Sequence, residues 1–234
     1  MIAVFRVLGV VVWSILMITS SLVVLLFTWN PKYSVQMART MWAPGVLWTC
    51  GVRTRVKGLE NVDRSKSYVL VCNHQSYMDI PVLFRGVTTN LYFVAKKELK
   101  KIPFLGWYMM ATGMIFIDRS NRNKSIASLQ RAAKLIHNGK SVIMFPEGTR
   151  SKDGYLADFK KGPFMLARQA DVEVLPVGIS EPEGHFRPGV FRRLTIELNI
   201  GEPIPSNEMP VVELIHRAHD QVAILSDRTK SIKL

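Results

Sequence analysis

The chain has 234 residues, of which 48% are hydrophobic, and its formal net charge is +13. This length supports one sizeable core with an appendage rather than two full domains. The positive charge predicts an anionic partner, but the sequence contains no zinc-finger spacing, RNA-binding aromatic signature or basic zipper, so nucleic acid is not expected. Cys50 and Cys72 give neither a disulfide framework nor a metal-binding spacing.

The charge is unevenly distributed along the chain. From Arg85 to Arg168 there are 16 lysines and arginines against five acids, whereas residues 1–31 carry one charged side chain, Arg6. Roughly 20 apolar residues are enough for a helix to cross a bilayer. A cleaved signal peptide fits less well, because the apolar run is long and no small-x-small site ends it. Basic residues follow this run, so the positive-inside rule predicts that the main body faces the cytoplasm.

Residues 33–49 are a second candidate for a membrane-associated element. Apolar side chains such as Trp42 are mixed with polar ones such as Arg39, which is typical of a helix at a membrane interface or of one that covers a core. Pro44 and Gly45 are expected to kink it. The sequence leaves open whether the anchor crosses the membrane once or turns back as a monotopic hairpin.

Strand-like and helix-like segments alternate from Val52 onward. Helical spacing predicts helices between Asn121 and a cap at Gly139, over Pro163–Ala170, and from Pro210 onward. Apolar runs rich in β-branched residues predict seven strands at Arg53–Val56, Tyr68–Cys72, Leu91–Ala95, Met114–Ile117, Ser141–Phe145, Val172–Ile179 and Leu194–Ile200. The alternation predicts an α/β fold, a mostly β-sheet core covered by helices, over residues 51–234. Residues 1–50 are expected to form a hydrophobic helical membrane anchor.

A histidine and an aspartate follow the second predicted strand. The string is Asn73-His74-Gln75-Ser76-Tyr77-Met78-Asp79. A neutral imidazole accepts a proton near neutral pH, and a carboxylate can hold its other nitrogen in one tautomer. No nucleophile is obvious beside this pair, so it could activate a substrate hydroxyl directly. The alternative is a helix N-terminus with a satisfied histidine.

Three further strings follow apolar strands. Phe145–Ser151 contains Arg150, whose planar fork matches phosphate oxygens, although an ordinary polar turn is the alternative. Gly113–Arg119 ends in Asp118 and Arg119, so Arg119 is either a second phosphate ligand or the partner of Asp118. In Val174–Gly178, Pro176 either shapes a pocket wall or is an edge proline of a core strand.

In this order, the four strings resemble the glycerolipid acyltransferase family, from about Arg55 to Ile179. Among its members the bacterial 1-acyl-sn-glycerol-3-phosphate acyltransferases are the most similar. The resemblance implies transfer of an acyl chain from acyl-CoA or acyl-carrier protein to the sn-2 hydroxyl of 1-acyl-sn-glycerol-3-phosphate, which gives phosphatidic acid without an acyl-enzyme. It also implies that no metal or cofactor is needed, and it places the chain at the cytoplasmic face of the bacterial inner membrane.

The resemblance also assigns roles to residues. His74 would be the general base, and Asp79 would orient its imidazole. Backbone amides near Gly148 are candidates for the oxyanion donors, and Glu147 is either structural or positions the acceptor glycerol. The expected substrate-binding residues are Glu147, Gly148, Thr149, Arg150, Arg119, Lys160 and Lys161.

Two alternatives to this function stay open from the sequence. The acceptor could differ, as another lysophospholipid, a lyso-ornithine lipid or glycerol 3-phosphate. The chain could instead be a membrane lipid-binding protein without activity, although the intact motifs argue against it.

Overall fold

The structure is a computed structural model that describes residues 2–118, 122–151, 155–181 and 194–228. The helices are α1 Ile2–Thr28, α2 Pro31–Met37, α3 Ala43–Thr49, α4 Asp79–Gly86, α5 Leu105–Ala111, α6 Arg122–His137, α7 Gly162–Gln169 and α8 Val211–Leu225. The strands are β1 Val52–Lys57, β2 Val69–Cys72, β3 Leu91–Lys96, β4 Ile115–Ile117, β5 Ser141–Met144, β6 Val174–Ser180 and β7 Leu194–Ile200. All seven predicted strands are present within a few residues of their expected ends, whereas α5 had no predicted counterpart and α4 was expected only as a helix N-terminus near Asp79.

The seven strands form one sheet in the order β1-β7-β6-β2-β5-β3-β4. Neighbouring strands are parallel except for β6 and β7, which are antiparallel. The carboxyl ends of β6, β2 and β5 therefore meet at one edge of the sheet, where α/β folds place their sites. Pro176 lies in β6, a buried interior strand, which agrees with the expected core strand.

Helices cover both faces of this sheet. Along β2, Leu70 and Cys72 belong to a core shared with α2, α3, α4 and α5, while Val69 and Val71 belong to a second core shared with α6, α7 and α8. This alternation follows from the strand period of two, which points successive side chains to opposite faces. The predicted α/β class, with a sheet core covered by helices, is confirmed.

The first three helices form an antiparallel hairpin, called the N-terminal hairpin below. The Trp13 indole N–H donates to Trp42 O at 3.2 Å, and the Ser34 hydroxyl donates to Ser21 O at 3.0 Å. Near the start of α1, Arg6 Nη1 donates to the carbonyl oxygen of Cys50, just after α3, at 3.3 Å. The chain thus returns at the end of α3 to the level at which α1 begins.

The second arm of the hairpin consists of α2, a π-helical turn and α3. It stays helical at Pro44 and Gly45, where a kink was expected. A π-helical turn, Ala38–Trp42, precedes α3, and the Ala43 amide donates to Ala38 O across it. Pro44 has no N–H to donate, and it lies near the start of α3, where that loss is tolerated. A methyl group at Gly45 would overlap the Trp13 indole, so this glycine allows the two arms to approach closely.

The second arm packs on the main body of the chain. Arg39 Nη1 donates to Thr88 O at 3.0 Å, and α3 contacts both α4 and β1. Only Cys50 and Gly51 separate α3 from β1. The outer face of α1 carries exposed apolar side chains, among them Val12 at 64% and Phe27 at 80% exposure.

One helix among the described residues is long and apolar enough to cross a membrane. It covers Val4–Thr28, which is most of α1. Its length and composition make this helix a candidate membrane span. The sequence did not show that the hairpin packs against the main body of the chain. The apolar N-terminal helix is therefore present as a candidate membrane anchor.

Candidate active site

The loop that follows β2 begins with a fixed asparagine. Buried Asn73 accepts from the Ile179 amide at 2.8 Å through Oδ1 and donates to Ile179 O at 2.9 Å through Nδ2. Its side chain therefore pairs with β6 as a peptide group would, one residue beyond the end of β2. The backbone position of the next residue, His74, is therefore fixed by both β2 and β6.

His74 and Asp79 are in contact. Nδ1 of His74 lies 2.6 Å from Oδ2 of Asp79, which is fully buried. The same carboxylate oxygen accepts from the amides of Gln75 at 2.8 Å and Ser76 at 3.0 Å. Asp79 is also the first residue of α4, where the helix dipole favours a negative charge. The helix N-terminus and the His–Asp pair are thus the same structure rather than alternatives.

These contacts assign the imidazole tautomer. Because Oδ2 of Asp79 is an acceptor that already receives two backbone amides, Nδ1 carries the proton that binds it, and Nε2 keeps its lone pair. The ring stacks on Phe145 with centroids 4.1 Å apart and an interplanar angle of 18°. The side chain is 23% exposed, so a substrate proton can reach it. The arrangement suits a general base.

Glu147 joins the loops that follow β2 and β5. Its side chain is 5% exposed; Oε1 accepts from the His74 amide at 2.7 Å, and Oε2 accepts from the Ala157 amide at 3.1 Å. Burial raises the pKa of Glu147, and the two amide donors oppose this shift without cancelling it. Since both oxygens already hold backbone donors, the contacts favour the structural role over contact with an acceptor glycerol.

Arg150 lies beside the histidine loop. Its Nη2 donates to the Tyr77 hydroxyl at 3.1 Å, and its guanidinium carbon is 4.0 Å from the Tyr77 ring centroid. The Ser151 amide donates to His74 O at 2.9 Å, which joins this loop to the first motif. The Arg150 side chain is exposed, and a guanidinium stacked on an aromatic ring is held in place for an anion.

Gly148 adopts a left-handed conformation, with φ of +80°. A methyl group there would lie 2.5 Å from Lys160 Nζ, so the ammonium group passes directly over this turn. The Gly148 amide donates to Phe145 O at 3.1 Å. The Gly148 amide is therefore engaged within the turn, and the oxyanion donors among the amides near it stay a prediction. Thr149 is exposed at the tip of the loop.

The remaining predicted site residues are less closely connected. Arg119 lies outside the described residues, and Asp118, its suggested partner, forms an ion pair with Lys97 at 2.8 Å. Lys161 is exposed and immediately precedes α7. No group of three potential metal ligands occurs among the described residues.

Burial disfavours Cys72, which precedes the histidine loop, as a thiol nucleophile. Cys72 is fully buried, and burial raises the pKa of its thiol well above the ordinary value. A nucleophilic cysteine needs the opposite shift, because the thiolate is the reactive form.

Sequence reasoning missed two aromatic residues of the site. Phe145 stacks on the imidazole and Tyr77 on the guanidinium, although both lie inside strings that the sequence had singled out. Their positions within the two motifs were a signal for a role in the site. However, each ring contacts a residue of the other motif, which the sequence alone does not show. Only the fold brings the two strings together.

The order and contacts of these motifs agree with a known family. The model of the Acyltransferase family matches residues 53–180, which include both loops and the strands that carry them. The chain belongs to this family.

Curated relatives include named enzymes. A Saccharomyces cerevisiae protein named 1-acyl-sn-glycerol-3-phosphate acyltransferase is 36% identical over 74% of this chain and 59% of its own length. A Borreliella burgdorferi protein of the same name is 30% identical over 60% of this chain and 56% of its own. The matched regions thus span about half to three-fifths of these relatives. Since they include a yeast and a bacterium, a bacterial origin stays a prediction.

A solved structure has the same fold. The crystal structure of the 1-acyl-sn-glycerophosphate (LPA) acyltransferase from Thermotoga maritima superposes with a TM-score of 0.75 at 27% identity. The match covers 94% of both chains, so it includes the N-terminal hairpin as well as the sheet.

Proposed function

We propose that this chain is an O-acyltransferase that acylates the sn-2 hydroxyl of 1-acyl-sn-glycerol-3-phosphate, with acyl-CoA or acyl-carrier protein as donor and phosphatidic acid as product. The observation that carries the proposal is the 2.6 Å contact between His74 Nδ1 and Asp79, with Arg150 on the adjoining loop. A base and an anion-binding group at the same edge of the sheet can act together on a substrate that carries both a hydroxyl and a phosphate. The names of the relatives support this acceptor.

The free Nε2 of His74 takes the proton of the acceptor hydroxyl. The alcohol oxygen attacks the thioester carbonyl carbon, the carbon–sulfur bond breaks, and the departing thiolate takes the proton back from the imidazolium. Asp79 stabilises the imidazolium while it exists and keeps Nδ1 protonated. No protein nucleophile takes part, in agreement with the buried thiol of Cys72. Base catalysis contributes about 10²–10⁴-fold, and alignment of the two substrates supplies much of the rest.

The acceptor phosphate binds at the loop after β5. Arg150 presents its guanidinium there, with one face stacked on Tyr77. Lys160, whose ammonium group passes over Gly148, adds a second positive charge. Arg119 and Lys161 are the remaining proposed phosphate ligands. Glu147 stabilises this loop by accepting hydrogen bonds from the backbone amides of His74 and Ala157.

The N-terminal hairpin is the membrane anchor, and we infer that it is monotopic. Because Arg6 contacts Cys50 and the second arm packs on the main body, α1 cannot cross a bilayer unless that arm crosses too. The exposed apolar face of α1 instead lies in one leaflet. The basic residues after α1 favour the cytoplasmic face of the bacterial inner membrane.

Replacement of the base tests the proposed chemistry. In detergent-solubilised protein, His74→Ala should lower kcat for thioester release with lysophosphatidate by about 10²–10⁴-fold. The matched control is His216→Ala, which removes an exposed histidine on α8 and should leave turnover intact. A His74→Ala protein with near wild-type kcat would remove the general-base assignment. A panel of the other acceptors, run with the wild type, tests the acceptor.

Replacement of the arginine tests the phosphate site separately. Arg150→Ala should raise KM for lysophosphatidate by about 10-fold or more, as loss of a charge-assisted contact does, and should change KM for acyl-CoA much less. Equal effects on both substrates would contradict the assignment. Monoacylglycerol, which lacks the phosphate, is the matched acceptor and should be used equally well by both proteins.

An epitope at the N-terminus tests the topology of the anchor. In a monotopic arrangement, antibodies reach this epitope and the C-terminal end from the same side of the membrane. Labelling of the N-terminus from the opposite side only would instead establish a single span.

A further inference from the structure

A second apolar surface lies beside the N-terminal hairpin. It consists of Ile102, Phe104, Trp107 and Met110, which are 43%, 39%, 53% and 47% exposed and are called the α5 patch here. The patch lies on α5 and the turn before it. A cluster of large exposed side chains of this kind marks an interaction surface rather than an ordinary solvated one.

The α5 patch is rigidly placed next to the hairpin. Helix α5 contacts α1, and the Tyr108 hydroxyl donates to Ser34 O in α2 at 3.3 Å. Both α5 and the hairpin cover the same face of the sheet, since residues of both belong to one core. The patch therefore belongs to the same helical layer as the exposed face of α1.

Phe104 is held in an unfavourable conformation at the edge of this patch. Its φ is +60° and its ψ −58°, in the region that side chains of L residues rarely adopt. Its ring contacts Trp107, with centroids 5.3 Å apart, and is not packed in the core. Strained backbone that does not serve core packing is characteristic of functional surfaces.

Positive charge borders the α5 patch. Lys100 and Lys101 end the 3₁₀ turn just before it, and among the described residues no acidic group pairs with either. The two acids nearby, Glu98 and Asp118, pair with Lys96 and Lys97. The groove between α5 and α6 is lined by Lys100 and by two further cations, Arg131 and Lys134, and no acidic residue is among its lining residues.

We propose that the α5 patch is a second membrane contact, in which Phe104, Trp107 and Met110 enter the leaflet and the adjoining lysines bind anionic lipid headgroups. Apolar and aromatic side chains beside lysines are what an anionic bilayer surface selects. The proposal rests on the monotopic anchor proposed above and extends it. With two separated contacts, the main body is fixed in orientation as well as in position.

Environment-sensitive fluorescent probes at single cysteines test this contact in the full chain. The probe positions are Met110→Cys in the patch, Val12→Cys on the outer face of α1 as reference, and Ile224→Cys on α8 as control. Vesicles contain phosphatidylcholine and phosphatidylglycerol, with a nitroxide on the acyl chains. The Met110 and Val12 probes should shift to the blue and be quenched, while the Ile224 probe should not respond.

The outcomes separate this proposal from the one on which it rests. Quenching at Val12 without quenching at Met110 would overturn the α5 patch and leave the anchor intact. Absence of quenching at both positions would overturn both. A Met110 probe that responds to acyl carrier protein in solution but not to vesicles would also overturn the proposal, since the patch would then bind an acidic protein.

Two substitutions test the roles of Phe104 and Lys101 in vesicle binding. Phe104→Gly relieves the backbone strain, so it should retain the midpoint of thermal unfolding and bind vesicles about tenfold more weakly. Lys101→Gln should weaken binding to anionic vesicles about fivefold and leave binding to neutral vesicles unchanged. Arg217→Gln, at an exposed position of α8, is the matched control. Unchanged vesicle binding in both test variants would contradict the proposal.

Discussion

At the scale of single residues, Asp79 is held by more donors than orientation of the imidazole alone requires. Its Oδ2 receives His74 Nδ1 and two amides, and the Ser76 hydroxyl lies 3.2 Å from its Oδ1. A buried carboxylate is stable only when its oxygens are hydrogen-bonded. The surplus of donors therefore stabilises a negative charge at a buried site directly beside the imidazole.

Asp79→Asn should disable the pair while it preserves much of its shape. The amide is neutral, so it no longer stabilises the imidazolium, and its NH2 group can donate to Nδ1 and favour the other tautomer; kcat should therefore fall about 10²–10⁴-fold. Steady-state thioester release with lysophosphatidate measures the effect. Asp220→Asn, at an exposed position of α8, should have no effect. Turnover that survives Asp79→Asn would show that orientation by this carboxylate is dispensable.

Glu147 should give the folding stability a pH dependence of defined sign. Burial raises the pKa of Glu147 above 4.5, so the folded chain keeps its proton to a higher pH than the unfolded chain does. The corresponding stability is present below 4.5 and is lost as the pH rises through the raised value. In Glu147→Gln this loss should be absent.

Chemical unfolding of the wild type and of Glu147→Gln, from about pH 5 to about pH 8, measures that difference. The advantage of the wild type over the variant should shrink as the pH rises. Glu213→Gln, an exposed position on α8, should keep the wild-type slope. A wild-type advantage that grows with pH would contradict the prediction.

At the scale of secondary-structure elements, the N-terminal hairpin depends on one close approach. Gly45→Ala places a methyl group against the Trp13 indole and should destabilise the fold by about 1–3 kcal/mol, as overpacking does. Gly162 in α7 is the matched control, because no atom lies within 4 Å of an added methyl group. Gly162→Ala should be neutral or stabilising. Thermal unfolding in detergent compares the two, and equal stabilities would show that the arms separate without cost.

At the scale of the whole molecule, the outer face of α1 should control membrane binding without affecting the fold. Val12 and Leu16 are 64% and 52% exposed, so replacement of both by asparagine removes few internal contacts. The double variant should bind vesicles at least about tenfold more weakly, since two apolar side chains no longer enter lipid. Sedimentation with vesicles measures the binding. Val212→Asn, exposed on α8, is the control, and equal binding by all three proteins would contradict the anchor.

Much of the fold could be predicted because strand period and strand ends are local properties. The seven apolar runs became seven strands, and the strings around His74 and Arg150 were found at the ends of neighbouring ones. Helix α5 was missed because it is short, and α4 was expected only through its N-terminus near Asp79. The contact of Glu147 with the His74 amide joins residues 73 positions apart and has no local signal.

The direct junction between the hairpin and the sheet has a consequence for how a substrate arrives. Cys50 and Gly51 are the only residues between α3 and β1, and the Cys50 carbonyl is itself held by Arg6. A protein on a long tether can search a volume of solution for its substrate. With the hairpin as the proposed membrane anchor, the distance between the His74 imidazole and the lipid surface is fixed by the chain, and a bilayer-bound acceptor would reach the imidazole by lateral diffusion.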